Sequence, residues 1–508
     1  MRITRPQALT AALAISTLTL ASCGAGDTAP AEEAGTEETG NSDASLAVGF
    51  AAVPANLDFT STGGAAIFEA LLYNTYEGLV RLGDDGTIEP LLAESWDISE
   101  DGLEYTFDLQ EGVTFHDGSE FTAENVEFSL ERLDEWTANA PENLEALESV
   151  EVVDEHTVTL HLSEPDYDVL FWLTGPEGAM FDPDSVDDLA TEANGTGPFV
   201  FESYENAVEM SFSRNADYWG EQPDVAELSL LYYDDANSAA NALRTGGVDA
   251  LVRAEAYDQV DSFEDDEFTV QLGDSQGVVV VTLNSDSEGL SEVEVRQAIS
   301  MAIDKESVLA ASTSGYGTEL GAPSVPTDPY YEDFSGTYAY DPEAAEQALE
   351  DAGYDDLSLT FTIPNRPYAE AAAQVIQDNL SDIGVEVTIE SQEFPAVWIE
   401  ESMTDRNFDL TVVNHVENRN MVNYGNPDHY WGYDSEEVRE HFDDAESATD
   451  DDEHSAAMLA ATEQIVEDVP GIWLYNPPNI VISRTGVDGL PQNDLGAGFD
   501  FSGVTVTE

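Results

Sequence analysis

The residues best suited to bind something crowd into one stretch, VVNHVENRNMVNYGNPDHYWGYDSEEV, residues 412–438. His415, Glu417, Asn418, Arg419, Asn423, Tyr424, Tyr430, Trp431 and Tyr433 all fall within it. Aromatic rings interspersed with hydrogen-bonding groups suit a closed, water-poor site for a polar organic ligand. The segment follows FDLTVVNH (408–415), which reads as a strand. In open α/β sheets ligands bind beyond the carboxyl ends of strands. Further candidates are Asn56 and Asp58 in VPANLDF, Tyr316 in the Gly-rich SGYGTELGAP, and Trp398 in EFPAVWIEE. Metal chemistry finds little support. The seven histidines show no ligand spacing, and no H-E-x-x-H occurs. The acidic run DDAESATDDDEH (443–454) lacks an EF-hand pattern and reads as a solvated face. No phosphate-cradling G-x-x-x-x-G-K-[ST] loop is present, and no cofactor is expected.

The single cysteine, Cys23, cannot form an intramolecular disulfide. Arg2 and Arg5 precede an apolar run at 7–20, and small Ala21 and Ser22 come just before Cys23. That order is a secretory signal peptide over 1–22. Leu20-Ala21-Ser22-Cys23 resembles the lipobox of bacterial lipoproteins, which implies that Cys23 is acylated. Several acyl chains on one residue give stable anchoring. Residues 23–45 are small, polar and acidic beyond the cysteine and read as a disordered tether. The expected location is therefore extracytoplasmic, lipid-anchored, with the membrane touched only through that anchor.

The charge is extreme: 106 Asp and Glu against 14 Lys and Arg give −92, and Lys305 is the sole lysine. Nucleic acid is excluded as a partner by repulsion. Such charge usually signals disorder. A hydrophobic content of 42% and 48 aromatic residues argue for a folded body instead.

The elements that must hold the candidates are α/β in pattern. SLAVGF (45–50) reads as a strand, GAAIFEALLYNTYEGLV (64–80) as a helix, and LEYTFDLQEGVTFHDGSEF (103–121) as a hairpin with Asp117-Gly118 at its tip. ESVEVVDEHTVTLHLSEP (148–165) reads as another strand pair and VEVRQAISMAIDKESVLAA (293–311) as one long helix. LSLTFTI (357–363), VEVTIES (385–391) and FDLTVVNH, with a helix at 369–383, give βαβ patterning. The chain is too long for one core, so two or three lobes are expected.

Four stretches carry a resemblance: YEGLVRLGDDGTIEPLLAESWDISEDGLEYTFDLQEGVTFHDGSEFTAENVEFSLERL (76–133), GTGPFVFESYENAVEMSFSRNADYWG (195–220), LNSDSEGLSEVEVRQAISMAIDKESVL (283–309) and YDPEAAEQALEDAGY (340–354). In order and spacing they resemble the solute-binding proteins of ABC importers in the peptide/nickel class, extracellular solute-binding family 5. The resemblance implies a two-lobe clamp of the periplasmic-binding-protein type II kind with an extra subdomain. Lobe I would comprise 46–75, 190–284 and 482–508, the inserted subdomain 76–189, and lobe II 285–481, with hinges near 284 and 481. It implies a monomeric receptor, not an enzyme, that captures a peptide or small polar solute and passes it to permease and ATPase subunits. In peptide-binding members an Asp-x-x-x-Pro aspartate pairs with the ligand's α-amino group. Here the matching residues are Asn423-Tyr424-Gly425-Asn426-Pro427, and a neutral amide makes no ion pair. The alternatives are a receptor for an opine, sugar or nickel chelate, with His415 or His429 as metal candidates, and an exported hydrolase.

At molar salt the Debye length falls to about 3 Å and self-repulsion is screened. The thermal unfolding midpoint is expected to rise between low and molar salt. A midpoint that stays level contradicts a salt-adapted charge.

Overall fold

The computed structural model describes residues 43–508 except 51, 139–141, 234, 264–265, 288, 355–356, 417–418, 449 and 508. Cys23, the signal expectation, the tether expectation up to residue 42, and Glu417 lie outside the described residues; Ser45, the last residue of the expected tether, already opens a strand.

Two sheets organise the body. The first has seven strands, in the order Phe268–Gly273, Asn479–Arg484, Ala250–Leu251, Ser45–Phe50, Glu227–Tyr232, Glu209–Arg214 and Phe199–Glu205. Ser45–Phe50 runs parallel to both neighbours. The second has six, in the order Thr318–Glu319, Gly471–Asn476, Val278–Leu283, Leu410–His415, Ser358–Pro364 and Glu386–Gln392. Its βαβ unit is parallel, as the periodicity predicts, with the helix Pro367–Asp382 between strands. Val278–Leu283 is buried at every residue, which suits an unbroken VVVVTL run in a central strand.

A four-stranded antiparallel sheet, Ala93–Ile98, Glu104–Leu109, Thr157–Leu162 and Leu147–Asp154, forms the inserted subdomain. Its buried residues join one cluster with one face of the seven-stranded sheet, from Leu46 through Phe107 and Val158 to Val504. The six-stranded sheet has its own clusters on its two faces. Among the described residues no buried apolar cluster includes side chains from both large sheets. This is a two-lobe clamp, each lobe with its own core.

The chain crosses between lobes at 274–277 and 477–478, a few residues before the expected 284 and 481. LNS at 283–285 already belongs to lobe II because the apolar strand ahead of it is that lobe's central one. Buried Asn476 stitches the crossings, donating through Nδ2 to the carbonyls of Ser275 (2.9 Å) and Gly277 (2.7 Å). Ser275 Oγ donates to the Pro477 carbonyl at 2.5 Å.

Three element expectations need correction. The helix over 64–80 is only Ala66–Leu71; Leu72 is extended, Tyr73 is left-handed at φ 64°, and Asn74 spends its amide on Phe499 O instead of continuing the helix. The long helix over 293–311 is two, Val293–Ala302 and Lys305–Thr313, because Ile303 is extended and the Asp304 carboxylate caps Ser307 N. Strand Glu104–Leu109 pairs with Ala93–Ile98 and Thr157–Leu162, and not with 113–121. That later stretch closes a small turn with Gly118 at φ 89°.

GTGPF is a close-approach motif. A Cβ on Gly195 would collide with the Thr75 carbonyl, and one on Gly197 would sit 2.5 Å from Asn74 O. Between them, Thr196 Oγ1 donates to buried Glu77, which also accepts from Tyr218 Oη (2.7 Å) and Trp219 Nε1 (3.0 Å). His116 Nε2 lies 2.9 Å from Gly197 O, a structural role.

Gly195→Ala is expected to cost about 3 kcal/mol or more by overpacking against rigid backbone, read by denaturant unfolding. Burial pushes the Glu177 carboxyl up to about 7. A carboxyl raised in the folded state holds its proton there while the unfolded chain has lost it. Its contribution therefore falls as pH rises from the ordinary glutamate range to about 7. Glu177→Gln keeps an oxygen to accept from Asn143 Nδ2. The variant is expected to lose less thermal stability than the parent between pH 5 and 8, the two agreeing at pH 4.

Candidate functional site

The cleft between the lobes is lined at the carboxyl ends of their strands. From lobe I come Arg253 and Glu255, just after Ala250–Leu251. The backbone there is tied to the second crossing, since Arg253 N donates to Asn479 Oδ1 (3.1 Å) and Ala254 N to Ile480 O (2.9 Å). Arg253 is committed to lobe I: it donates to Glu69 Oε1 at 2.6 Å and to both Asp494 oxygens, and its guanidinium lies 5.1 Å over Phe499. From lobe II come Arg366 and Tyr368, just beyond Ser358–Pro364. Tyr368 Oη accepts from Asn414 N at 3.0 Å, which ties this turn to the end of the neighbouring strand. Burial pushes the Tyr368 phenol up to about 12.

Two charges in this cleft are uncommitted. Arg366 is exposed, 5.0 Å over the Phe394 ring. Among the described residues it is the one arginine whose guanidinium has no polar partner. Glu255 faces it from the other lobe. Burial raises the Glu255 carboxyl and the Arg366 and Arg253 charges pull it back, yet no ion pair forms. Its surface remains open to solvent, so the burial is that of a cleft wall and not of a core. A cation in a chain of 106 acids and 14 bases finds a carboxylate easily, so an unpaired one across from an unpaired acid marks a place kept open. Neither residue stood out in the sequence. Each is a lone charge in a loop, and only the fold brings them together.

The residues singled out from sequence divide differently. Tyr424, Trp431 and Trp398 are 2%, 0% and 1% exposed. This corrects their assignment as ligand contacts: they are core. Tyr424 and Trp431 stack at 4.2 Å, Trp473 Nε1 donates to Tyr424 Oη (3.2 Å), and Trp398 Nε1 to Thr411 Oγ1 (3.1 Å). His415 is buried too, in a chain with Tyr430 Oη (2.8 Å) and through it Thr282 Oγ1 (3.0 Å). An aromatic-rich loop over the end of a strand needs a packed underside, and sequence spacing cannot separate that from a wall facing ligand. Asn423 is half-buried in the short helix Asn420–Gly425, its carbonyl accepting from Asn426 N (3.1 Å).

Asn56 and Asp58 are spent on their own loop. Asn56 Oδ1 accepts from Asp58 N (2.8 Å), and Asp58 accepts from Thr60 N, Thr60 Oγ1 and Ser61 Oγ. Those bonds hold the Asp58 carboxyl below its usual range although burial alone would raise it. Arg419 pairs with Asp168 of the inserted subdomain, and Tyr316 Oη donates across the lobes to Asp261 Oδ1 at 2.6 Å.

Gly273-Asp274-Ser275-Gln276-Gly277 matches the G-x-S-x-G pattern, which bears on the hydrolase alternative. Ser275 is buried at the hinge and its hydroxyl is donated to Pro477 O. It is a structural serine. Among the described residues no three His, Cys, Asp or Glu form a metal group, and no helix is long and apolar enough to cross a membrane.

Comparison with known proteins agrees with this geometry. The profile of the bacterial extracellular solute-binding proteins, family 5 (middle), matches residues 87–439. Heme-binding protein A of Haemophilus influenzae is 31% identical over 420 residues, 74% of this chain and 75% of that protein. Di/tripeptide-binding protein 2 of Pseudomonas aeruginosa is 29% identical over 69% of this chain and 72% of its own. Among solved structures, an ABC transporter-associated periplasmic binding protein from Helicobacter pylori in complex with the peptide STSA superposes with a TM-score of 0.80. It is 24% identical and covers 92% of this chain and 98% of its own.

Trp431→Ala is expected to cost about 3–5 kcal/mol, as for a large core aromatic. Urea unfolding measures it; a loss below about 1 kcal/mol would return Trp431 to the ligand wall.

Proposed function

The chain belongs to the bacterial extracellular solute-binding proteins of family 5, and from that premise we propose that it captures a peptide-like solute through a free carboxylate. The observation that carries this reading is Arg366, an unpaired guanidinium at the mouth of a parallel βαβ unit, facing Glu255 across the cleft. A guanidinium fork matches a carboxylate bidentately. Glu255 lies where a cationic group at the other end of a short ligand would be held. Asn423, which stands in place of an acidic residue, contributes an amide that accepts or donates without charge. The di/tripeptide-binding relative supports a ligand of this class.

In this reading solute enters between lobe I (46–75, 190–273 and 479–508) and lobe II (278–476), joined by the crossings at 274–277 and 477–478, the subdomain at 76–189 riding with lobe I. Closure about the two crossings encloses it, a hinge movement of the usual kind. The closed receptor then docks on permease and ATPase subunits that supply the energy. Cys23 acylation holds a monomeric receptor at the outer face of the membrane through the acidic tether.

The test is calorimetric titration at molar salt with di- to pentapeptides, their C-terminal amides, and N-acetylated forms. Free-acid peptides are expected to bind. Amidation or Arg366→Ala is expected to weaken binding by about 1.5–3 kcal/mol, roughly ten- to a hundredfold in Kd. Equal affinity for acid and amide, or an unaltered Arg366→Ala, contradicts the reading.

A further inference from the structure

Besides the Tyr316–Asp261 hydrogen bond between the lobes, a larger set of contacts joins the inserted subdomain to lobe II away from the crossings. Residues 166–172 follow the last strand of the inserted subdomain and lie against lobe II. Asp168 is 7% exposed and forms an ion pair with Arg419. His454 Nε2, on the helix Asp451–Asp468, is 3.6 Å from the same Asp168 oxygen. The His454 ring stacks on Tyr167 at 4.2 Å, and Tyr167 Oη donates to Asp451 Oδ1 at 2.6 Å. The Arg419 guanidinium lies 3.6 Å over the Phe171 ring. One main-chain hydrogen bond also crosses, from Tyr167 N to Glu446 O at 3.0 Å.

We propose that Asp168, Arg419 and His454, with the Tyr167 stack, form a clasp that holds the inserted subdomain against lobe II and so biases the clamp toward its closed form. Several observations converge on it. Asp168 and Asp166 wall two cavities of about 400 and 390 Å³, each lined both from the inserted subdomain and from lobe II, so the contact sits where the seam between them is hollow. Glu164, Asp443 and Glu446 line the first cavity, and Glu100, Asp101 and Asp450 the second. Two faces this acidic repel unless something specific joins them. Arg419 does so from a left-handed backbone at φ 51°, a conformation that is strained for a non-glycine residue and persists only where surroundings enforce it. Shielding matters as well. Molar salt screens exposed pairs but reaches a buried contact pair far less. The clasp would keep its strength in the conditions that suit the rest of the surface. This goes beyond ligand recognition, since no clasp residue is assigned to the Arg366 and Glu255 wall.

The reporter is the Tyr167 amide, whose hydrogen bond spans the seam. Hydrogen exchange at molar salt, without added ligand, compares the parent with Asp168→Asn and Arg419→Gln. Exchange at Tyr167 is expected to accelerate at least tenfold in both, with amides of Val278–Leu283 and Thr157–Leu162 unchanged and the radius of gyration from small-angle scattering increased. Acceleration shared equally by those core strands, or none at Tyr167, overturns the proposal. Should either variant fail to fold, Tyr167→Ser alters only the half-buried rim, keeps the main-chain N–H that faces Glu446 O, and is read in the same way by scattering and by exchange at that amide. These readouts use no ligand, so they stand or fall separately from the carboxylate reading.

Discussion

The architecture depends on a small knot of hydrogen bonds where the chain passes between lobes. Asn476 binds the carbonyls of Ser275 and Gly277, and Ser275 binds Pro477, so the two crossings are held as a pair. Each side of that knot has its own apolar clusters. Among the described residues no buried apolar cluster joining the two large sheets has to be broken for the lobes to part. A buried amide with its donors satisfied is rigid locally, while the short segments beside it are free to absorb a change of angle. That combination gives a fixed axis and a variable cleft.

The cleft and its supports then share the work. The loop after Leu410–His415 is carried on an aromatic underside of Tyr424, Trp431, Trp473 and Tyr430. This packing keeps a long irregular segment in one conformation beyond the end of a buried strand. The charges that could meet a ligand come from shorter loops on opposite lobes. They are anchored from behind, Glu255 beside the Asn479 hydrogen bond and Arg366 beside Tyr368. Rigid elements with uncommitted charges at their tips are what selective capture of a small polar solute requires.

Much of the fold was legible in the sequence. The strands of the βαβ unit and the Asp117-Gly118 tip follow from periodicity and turn chemistry, which are local. The failures were local rules overruled from a distance. Asn74 is drawn away from its helix by Phe499, more than four hundred residues on. Asn56 and Asp58 have the letters of a polar site but are satisfied within their own loop, by Thr60, Ser61 and Thr62. Trp398, Trp431 and Tyr424 have the letters of a ligand wall and serve as core. Arg366 and Glu255 went unremarked because a single charge in a loop carries no pattern until its opposite number is placed across a cleft.

The proposed pose sets solute between Arg366 and Glu255 with its carboxylate on the arginine. A crystal structure grown at molar salt with a bound dipeptide tests it directly. A ligand carboxylate is expected at hydrogen-bond distance, about 3 Å, from the Arg366 guanidinium, with Glu255 facing the opposite end. A dipeptide bound elsewhere, or bound in the cleft with Arg366 turned to solvent, would contradict it.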